Sequence, residues 1–192
     1  MKLLITGFDP FGGASVNPAW EAVQRLPDSI GRYELIKLQS PTAFGEAARL
    51  VIARAEECRP DVIVCVGQAG GRSAVTPERI GINVRSATIA DNRGIQPAGE
   101  PIVPDGPDGI FSPLPVEAMA RAIREAELPG QVSNTAGTFV CNDVLYTLLH
   151  HLQGSGVRAG FILVPWLPEQ GSPSLELEKT VEALTAAVGA IR

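Results

Sequence analysis

The sequence predicts an α/β fold: a single-domain three-layer α/β/α sandwich with a mostly parallel twisted sheet. Three observations predict it. Short apolar runs of strand length alternate along the chain with stretches of helical period. Two of those runs, within Asp61–Gly67 and Ala159–Val164, are continuously apolar, as strands covered on both faces are. The 192 residues carry no internal repeat, low-complexity tract or linker, and that length suits one domain, 1–192, with a substantial core.

The elements follow in order. Leu3–Thr6 reads as a short buried strand. Asn17-Pro18 supplies an N-cap and a proline at the first helical position, so a helix runs to about Leu26 with Trp20, Val23 and Leu26 on one face. Tyr33–Leu38 reads as a strand. Pro41-Thr42 opens a helix to about Cys58 with Phe44, Ala47, Ala48, Val51, Ile52 and Ala55 inward, and Arg59-Pro60 ends it. The buried strand Val62–Val66 comes next. Thr88–Pro113, rich in Pro, Gly and Asp, is an irregular excursion or a hairpin with an exposed loop. Pro115–Glu127 is helical with Val116, Met119, Ala120 and Ile123 inward; Gln131–Ser133 is a short strand; Cys141–Gln153 is helical. Ser174 caps a last helix with the stripe Leu177, Val181, Leu184, Val188 and Ile191. In such a sheet, functional loops lie beyond the strand carboxyl ends. That singles out Gly7–Gly13, Gly67–Glu78, Ser133–Cys141 and Pro165–Gln170.

Composition narrows the function classes. The apolar fraction is 45% and the charged fraction 19%. A net charge of −5 without any Lys/Arg run argues against nucleic-acid or anionic-membrane partners. Three cysteines (58, 65 and 141) cannot all pair, and none lies in a Cys-x-x-Cys, which predicts free thiols in a reducing, cytoplasmic compartment. The apolar start Leu3-Leu4-Ile5 is too short for a signal sequence. Two adjacent histidines and scattered thiols make no metal site.

The most informative residue is Cys141. A polar, Gly-containing loop, Ser133–Thr138, runs into an apolar helical stretch, which places the thiol at a helix N-terminus. Amide N–H groups and the helix dipole there favour thiolate and can also hold an oxyanion. The alternative is a small core residue. Asp143, in the first helical turn, would raise the thiol pKa if close. A thiolate nucleophile needs a proton shuttle, usually histidine. His150 and His151 come nine and ten residues later, about 14 Å along the same helix. Both are read as solvated or inter-subunit residues. Thr6–Gly13 is a Gly-rich strand-to-helix turn without phosphate-loop spacing. Its Phe8 and Phe11 suit an apolar wall for a small molecule, or the core of a tight turn. Gln68 follows the buried strand and can hydrogen-bond an amide or lactam. Glu78 can orient a base, or form a surface ion pair with Arg79.

These segments resemble the pyroglutamyl peptidase I (pyrrolidone-carboxylate peptidase) family. The carrying stretches are TGFDPFGG from Thr6, NPAWEAV from Asn17, VGQAGGR from Val66, TPERIGIN from Thr76, SNTAGTFVCN from Ser133 and GFILVPWLPEQ from Gly160. The resemblance implies a cofactor-free cysteine exopeptidase that removes N-terminal pyroglutamate from peptides, commonly as a homotetramer. It implies Cys141 as nucleophile and Glu78 as the acid that orients the base. It implies Phe8, Phe11, Asn17, Gln68, Phe139 and Val140 as residues at the substrate pocket. It also implies two departures. The family's histidine falls at Leu163, in Phe161-Ile162-Leu163-Val164-Pro165, and Leu cannot transfer a proton. Thr88 stands where many relatives carry Arg, with Arg85 three residues earlier as a candidate replacement. The implied activity is therefore an impaired exopeptidase or, alternatively, a pyroglutamyl-binding pseudoenzyme.

Overall fold

The computed structural model describes residues 1–192. The chain order is β1 (Lys2–Phe8), α1 (Pro18–Arg25), β2 (Ser29–Ile30), β3 (Tyr33–Ser40), α2 (Glu46–Cys58), β4 (Val62–Gln68), β5 (Thr76–Pro77), β6 (Ile80–Ile82), β7 (Arg85–Ser86), β8 (Ala98–Glu100), β9 (Gly109–Phe111), α3 (Val116–Glu125), α4 (Val140–His151), β10 (Arg158–Val164) and α5 (Leu177–Gly189). Six strands form one sheet in the order β2-β3-β1-β4-β10-β5. Its four long strands are parallel, and β2 and β5 close the edges antiparallel. Side chains alternate across it. Leu3, Ile5, Val62, Val64 and Ile162 pack under α1, α3 and α5, while Leu4, Ile63, Cys65, Phe161 and Leu163 pack under α2 and α4. This is the expected three-layer α/β/α sandwich in a single-domain fold, its sheet buried on both faces.

Local signals placed most elements. Asn17 caps α1 by accepting from the Ala19 amide at 3.0 Å, with Pro18 at the first helical position. The four inward residues expected of α3 are all buried. So are Leu184, Val188 and Ile191 of the last helical stripe, with Leu177 and Val181 packed against them.

Three expectations are corrected. α2 begins at Glu46 rather than at Thr42, because the Thr42 amide and hydroxyl donate to Asp9 (2.6 and 3.0 Å) instead of entering a helix. Gln131–Ser133 is not a strand. Gly130 bridges Val75 and Ser133 bridges Glu78, on either side of Pro77, which has no N–H to extend a ladder between them. Ser174 does not cap α5; it bridges Trp166, and the helix starts at Leu177 after Glu176. Within the excursion, β8 and β9 fold back as ribbons onto β7 and β6. No helix is long and apolar enough to cross a membrane.

Candidate active site

Loops from three strands and the start of one helix meet at the carboxyl edge of the sheet. They enclose a cavity of about 260 Å³ lined by Phe8, Phe11, Asn17, Thr42, Gln68, Ala69, Gly70, Arg72, Ala136, Gly137, Phe139, Cys141 and Leu163. β1 is paired with β3 on one side and β4 on the other, so the loops after β1 and β4 part here, as at a topological switch point. Of the residues singled out from sequence, Phe8, Phe11, Asn17, Gln68, Phe139, Cys141 and Leu163 border this cavity. Glu78 is fully buried behind it. Val140 is fully buried beside Phe139 and does not border it.

The aromatic wall is built by packing between loops. Phe139 lies 5.8 Å from Phe11 and meets Phe44 edge-on at 5.3 Å; Phe8 stacks on Phe161 at 6.1 Å. Asp9 holds the loop after β1 in place. Its carboxylate accepts from the Thr42 amide at 2.6 Å and from Asn92 Nδ2 at 3.1 Å, and its carbonyl accepts from Asn17 Nδ2 at 2.9 Å. Both amide atoms of Asn17 are thus engaged within the chain, one in the helix cap and one in this loop.

Cys141 is the second residue of α4, and its sulfur lies over Gly67 of β4. A Cβ at Gly67 would stand 2.7 Å from Sγ, 2.9 Å from Phe161 and 3.1 Å from Leu163 Cδ2. Only glycine leaves room for the thiol there. The sulfur and the Leu163 side chain therefore border the same space. The Val140 and Cys141 amides donate to no backbone carbonyl at the helix start, and the Cys141 amide faces its own sulfur. Even so, the thiol pKa is pushed up to about 12, first by burial and then by the Glu78 carboxylate, with Arg72 opposing. The helix start does not outweigh desolvation here.

Glu78 and Arg79 do not form the surface pair that adjacency suggests. Arg79 turns outward to Glu117 at 2.5 Å and Asn134 at 2.8 Å. Glu78 Oε1 instead accepts from Arg72 Nη1 at 2.6 Å and lies 3.4 Å from Thr76 Oγ1, which also donates to the Leu163 carbonyl at 3.3 Å. Arg72 Nη2 continues to the Thr135 carbonyl in the loop before Cys141, at 2.7 Å. Glu78 Oε2 is buried without a partner. Burial pushes this carboxyl up, while Ser133, Arg72 and Thr76 pull it down.

Asp143 is not the carboxylate acting on the thiol. It is fully buried, accepts from the Gly45 amide at 2.8 Å and faces Arg85 Nη2 at 2.7 Å. Arg85 is thereby committed to Asp143, and the guanidinium near the sulfur is that of Arg72. His150 stacks on Tyr146 at 6.2 Å and His151 is exposed, both at the far end of α4. No group of three or more His, Cys, Asp or Glu is arranged to hold a metal ion. Sequence reasoning missed Arg72, Thr76 and Gln170 as site residues, since their partners lie across the fold. Gln170 Nε2 donates to Gln68 Oε1 at 3.0 Å.

Comparison with known proteins gives one answer. The family model described as pyroglutamyl peptidase matches residues 1–192. The chain is 54% identical to a pyrrolidone-carboxylate peptidase of Levilactobacillus brevis, over all of this chain and 97% of the relative. It is 49% identical to one from Thermococcus onnurineus, over 95% and 94%. Among solved structures, the crystal structure of pyroglutamyl peptidase I from Bacillus amyloliquefaciens superposes with a TM-score of 0.96 at 43% identity, covering 99% of this chain and 96% of that one. A mutant pyrrolidone carboxyl peptidase from Pyrococcus furiosus gives 0.94 at 37% identity, covering 100% and 98%.

Proposed function

The chain belongs to the pyroglutamyl peptidase family, and we propose that it is a thiol exopeptidase for N-terminal pyroglutamyl peptides that lacks its acid–base group. The observation that carries this reading is the pairing of an aromatic lactam-sized cavity with a thiol on its wall and an orphaned carboxylate oxygen behind it. A pyroglutamyl ring packs against the wall formed by Phe8, Phe11 and Phe139. The uncharged lactam enters this apolar space at little cost, whereas a charged N-terminal glutamate would have to be desolvated. Cys141 Sγ attacks the carbonyl that joins the ring to the next residue. The Val140 and Cys141 amides receive the developing oxyanion. The leaving amine departs with a proton, and water hydrolyses the thioacyl intermediate.

Two proton transfers in that scheme have no carrier. Leu163 occupies the position from which an imidazole would reach both the thiol and Glu78, and the unpartnered Glu78 Oε2 is what the loss of an N–H donor would leave. Without that donor the thiol stays protonated at neutral pH, in keeping with its upward shift. Losing a positioned acid–base group lowers the rate by on the order of 10²–10⁴-fold. The chain is thus a pyroglutamyl binder with slow turnover. Its three free thiols fit a reducing compartment.

Calorimetric titration with pyroglutamyl-alanine and glutamyl-alanine tests the reading. Saturable binding of the first and none of the second is expected. Absence of binding by both would remove the lactam cavity from the account.

A further inference from the structure

Gln170 lies in the loop after β10, outside the wall of the cavity, yet it decides what that wall offers a ligand. Its Oε1 accepts from the Leu167 amide at 3.0 Å, and its Nε2 donates to the Val16 carbonyl at 3.2 Å and to Gln68 Oε1 at 3.0 Å. The two backbone groups admit no reversal: an amide N–H can only donate and a carbonyl can only accept. Turning the Gln170 amide over would lose both. Its nitrogen therefore faces Gln68, and Gln68 must answer with its oxygen. That leaves Gln68 Nε2, which has no partner in the chain, as the donor bordering the cavity.

We propose that Gln170 is a positioning residue that fixes the polarity of the Gln68 amide, so that the cavity selects a five-membered ring bearing a carbonyl over the same ring without one. The proposal rests on the lactam reading above and deepens it. It identifies the lactam carbonyl as the group recognised by the Gln68 side chain. It also gives a reason for two loops distant in sequence to be tied together through one side chain, since Val16 belongs to the loop after β1 and Leu167 to the loop after β10.

The test uses three ligands on the intact protein: pyroglutamyl-alanine, 3-oxocyclopentanecarbonyl-alanine, which keeps the ring carbonyl and lacks the ring N–H, and cyclopentanecarbonyl-alanine, which lacks both. The native chain should bind the oxo ring about five- to tenfold more tightly than the plain ring, the worth of one neutral hydrogen bond. In Gln170→Glu, the carboxylate can only accept, so Gln68 turns its N–H₂ toward it and its oxygen to the cavity. The preference should fall to one or below, while plain-ring affinity changes by less than about threefold. Gln170→Met, which neither donates nor accepts strongly, keeps the proposal testable if the glutamate variant misfolds. It should lose most of the preference without reversing it. An unchanged preference in both variants, or equal weakening of both cyclopentane ligands, overturns the positioning role. Failure of the native chain to bind pyroglutamyl-alanine at all would instead overturn the lactam reading itself.

Discussion

Replacing Leu163 with histidine should turn a slow or silent chain into an efficient pyroglutamyl peptidase. Leu163 is 2% exposed; its Cδ2 and the Cys141 sulfur flank the same space over Gly67, and its carbonyl shares the Thr76 hydroxyl with Glu78. On the proposed reading, an imidazole built from this position should enter the space between sulfur and carboxylate. Giving up the buried leucine costs about 2 kcal/mol of apolar burial. Supplying a donor to the orphaned Glu78 Oε2 returns about 1–3 kcal/mol. The two nearly cancel, so the melting temperature should move by only a few degrees, or about 1 kcal/mol. Catalysis should not cancel: kcat/KM should rise by on the order of 10²–10⁴ with the acid–base group restored. Hydrolysis of pyroglutamyl-7-amido-4-methylcoumarin, followed by fluorescence beside a circular dichroism melt, measures both. A folded variant that binds the lactam yet gains less than about tenfold would refute the assignment of Leu163 to the missing base.

Other outcomes follow from the same geometry. Leu163→Ala should lose about 2–5 kcal/mol in urea unfolding, and added imidazole should raise its activity saturably by entering the space vacated beside Glu78. The thiol is held up at about 12, so its protonated form persists past neutral pH. Cys141 alkylation by iodoacetamide should then climb tenfold per pH unit through pH 9 without a plateau, and in Leu163→His a plateau should appear at lower pH. Arg72→Met leaves the fully buried Glu78 without its cation and should cost about 3 kcal/mol, most of it recovered in the double variant Arg72→Met/Glu78→Gln. Gly67→Ala puts a carbon 2.7 Å from the sulfur and should destabilise by about 1–3 kcal/mol while altering Cys141 alkylation.

The layers were readable because burial is periodic. Val62–Val66, Ala159–Val164 and the inward faces of α1, α3 and α5 each carry their own pattern, and each lies where that pattern puts it. Cys141 at the start of a helix was readable for a similar local reason, a polar glycine loop entering an apolar run. What sequence could not supply was the partner of a buried charge. Glu78 sits beside Arg79 in the chain, and adjacency suggests that pair, but successive residues on an extended segment point to opposite sides. The buried carboxylate meets Arg72 from the preceding loop, while Arg79 goes to the surface. Asp143 and Arg85 repeat the lesson: one of two candidate thiol modulators neutralises the other. The later start of α2 has a similar origin, since the Thr42 amide is claimed by the Asp9 side chain from a loop distant in sequence, while the ladder at Gln131–Ser133 is cut short by Pro77, whose effect depends on a pairing that sequence did not reveal.

Single-turnover mixing of the unaltered protein, in excess over pyroglutamyl-7-amido-4-methylcoumarin at neutral pH, measures without any substitution whether the Cys141 thiol acylates unaided. The ligand should bind, and coumarin release should show no rapid phase. A burst of coumarin stoichiometric with bound ligand and abolished in Cys141→Ser would mean that the thiol acylates without the imidazole, and would contradict the proposed function.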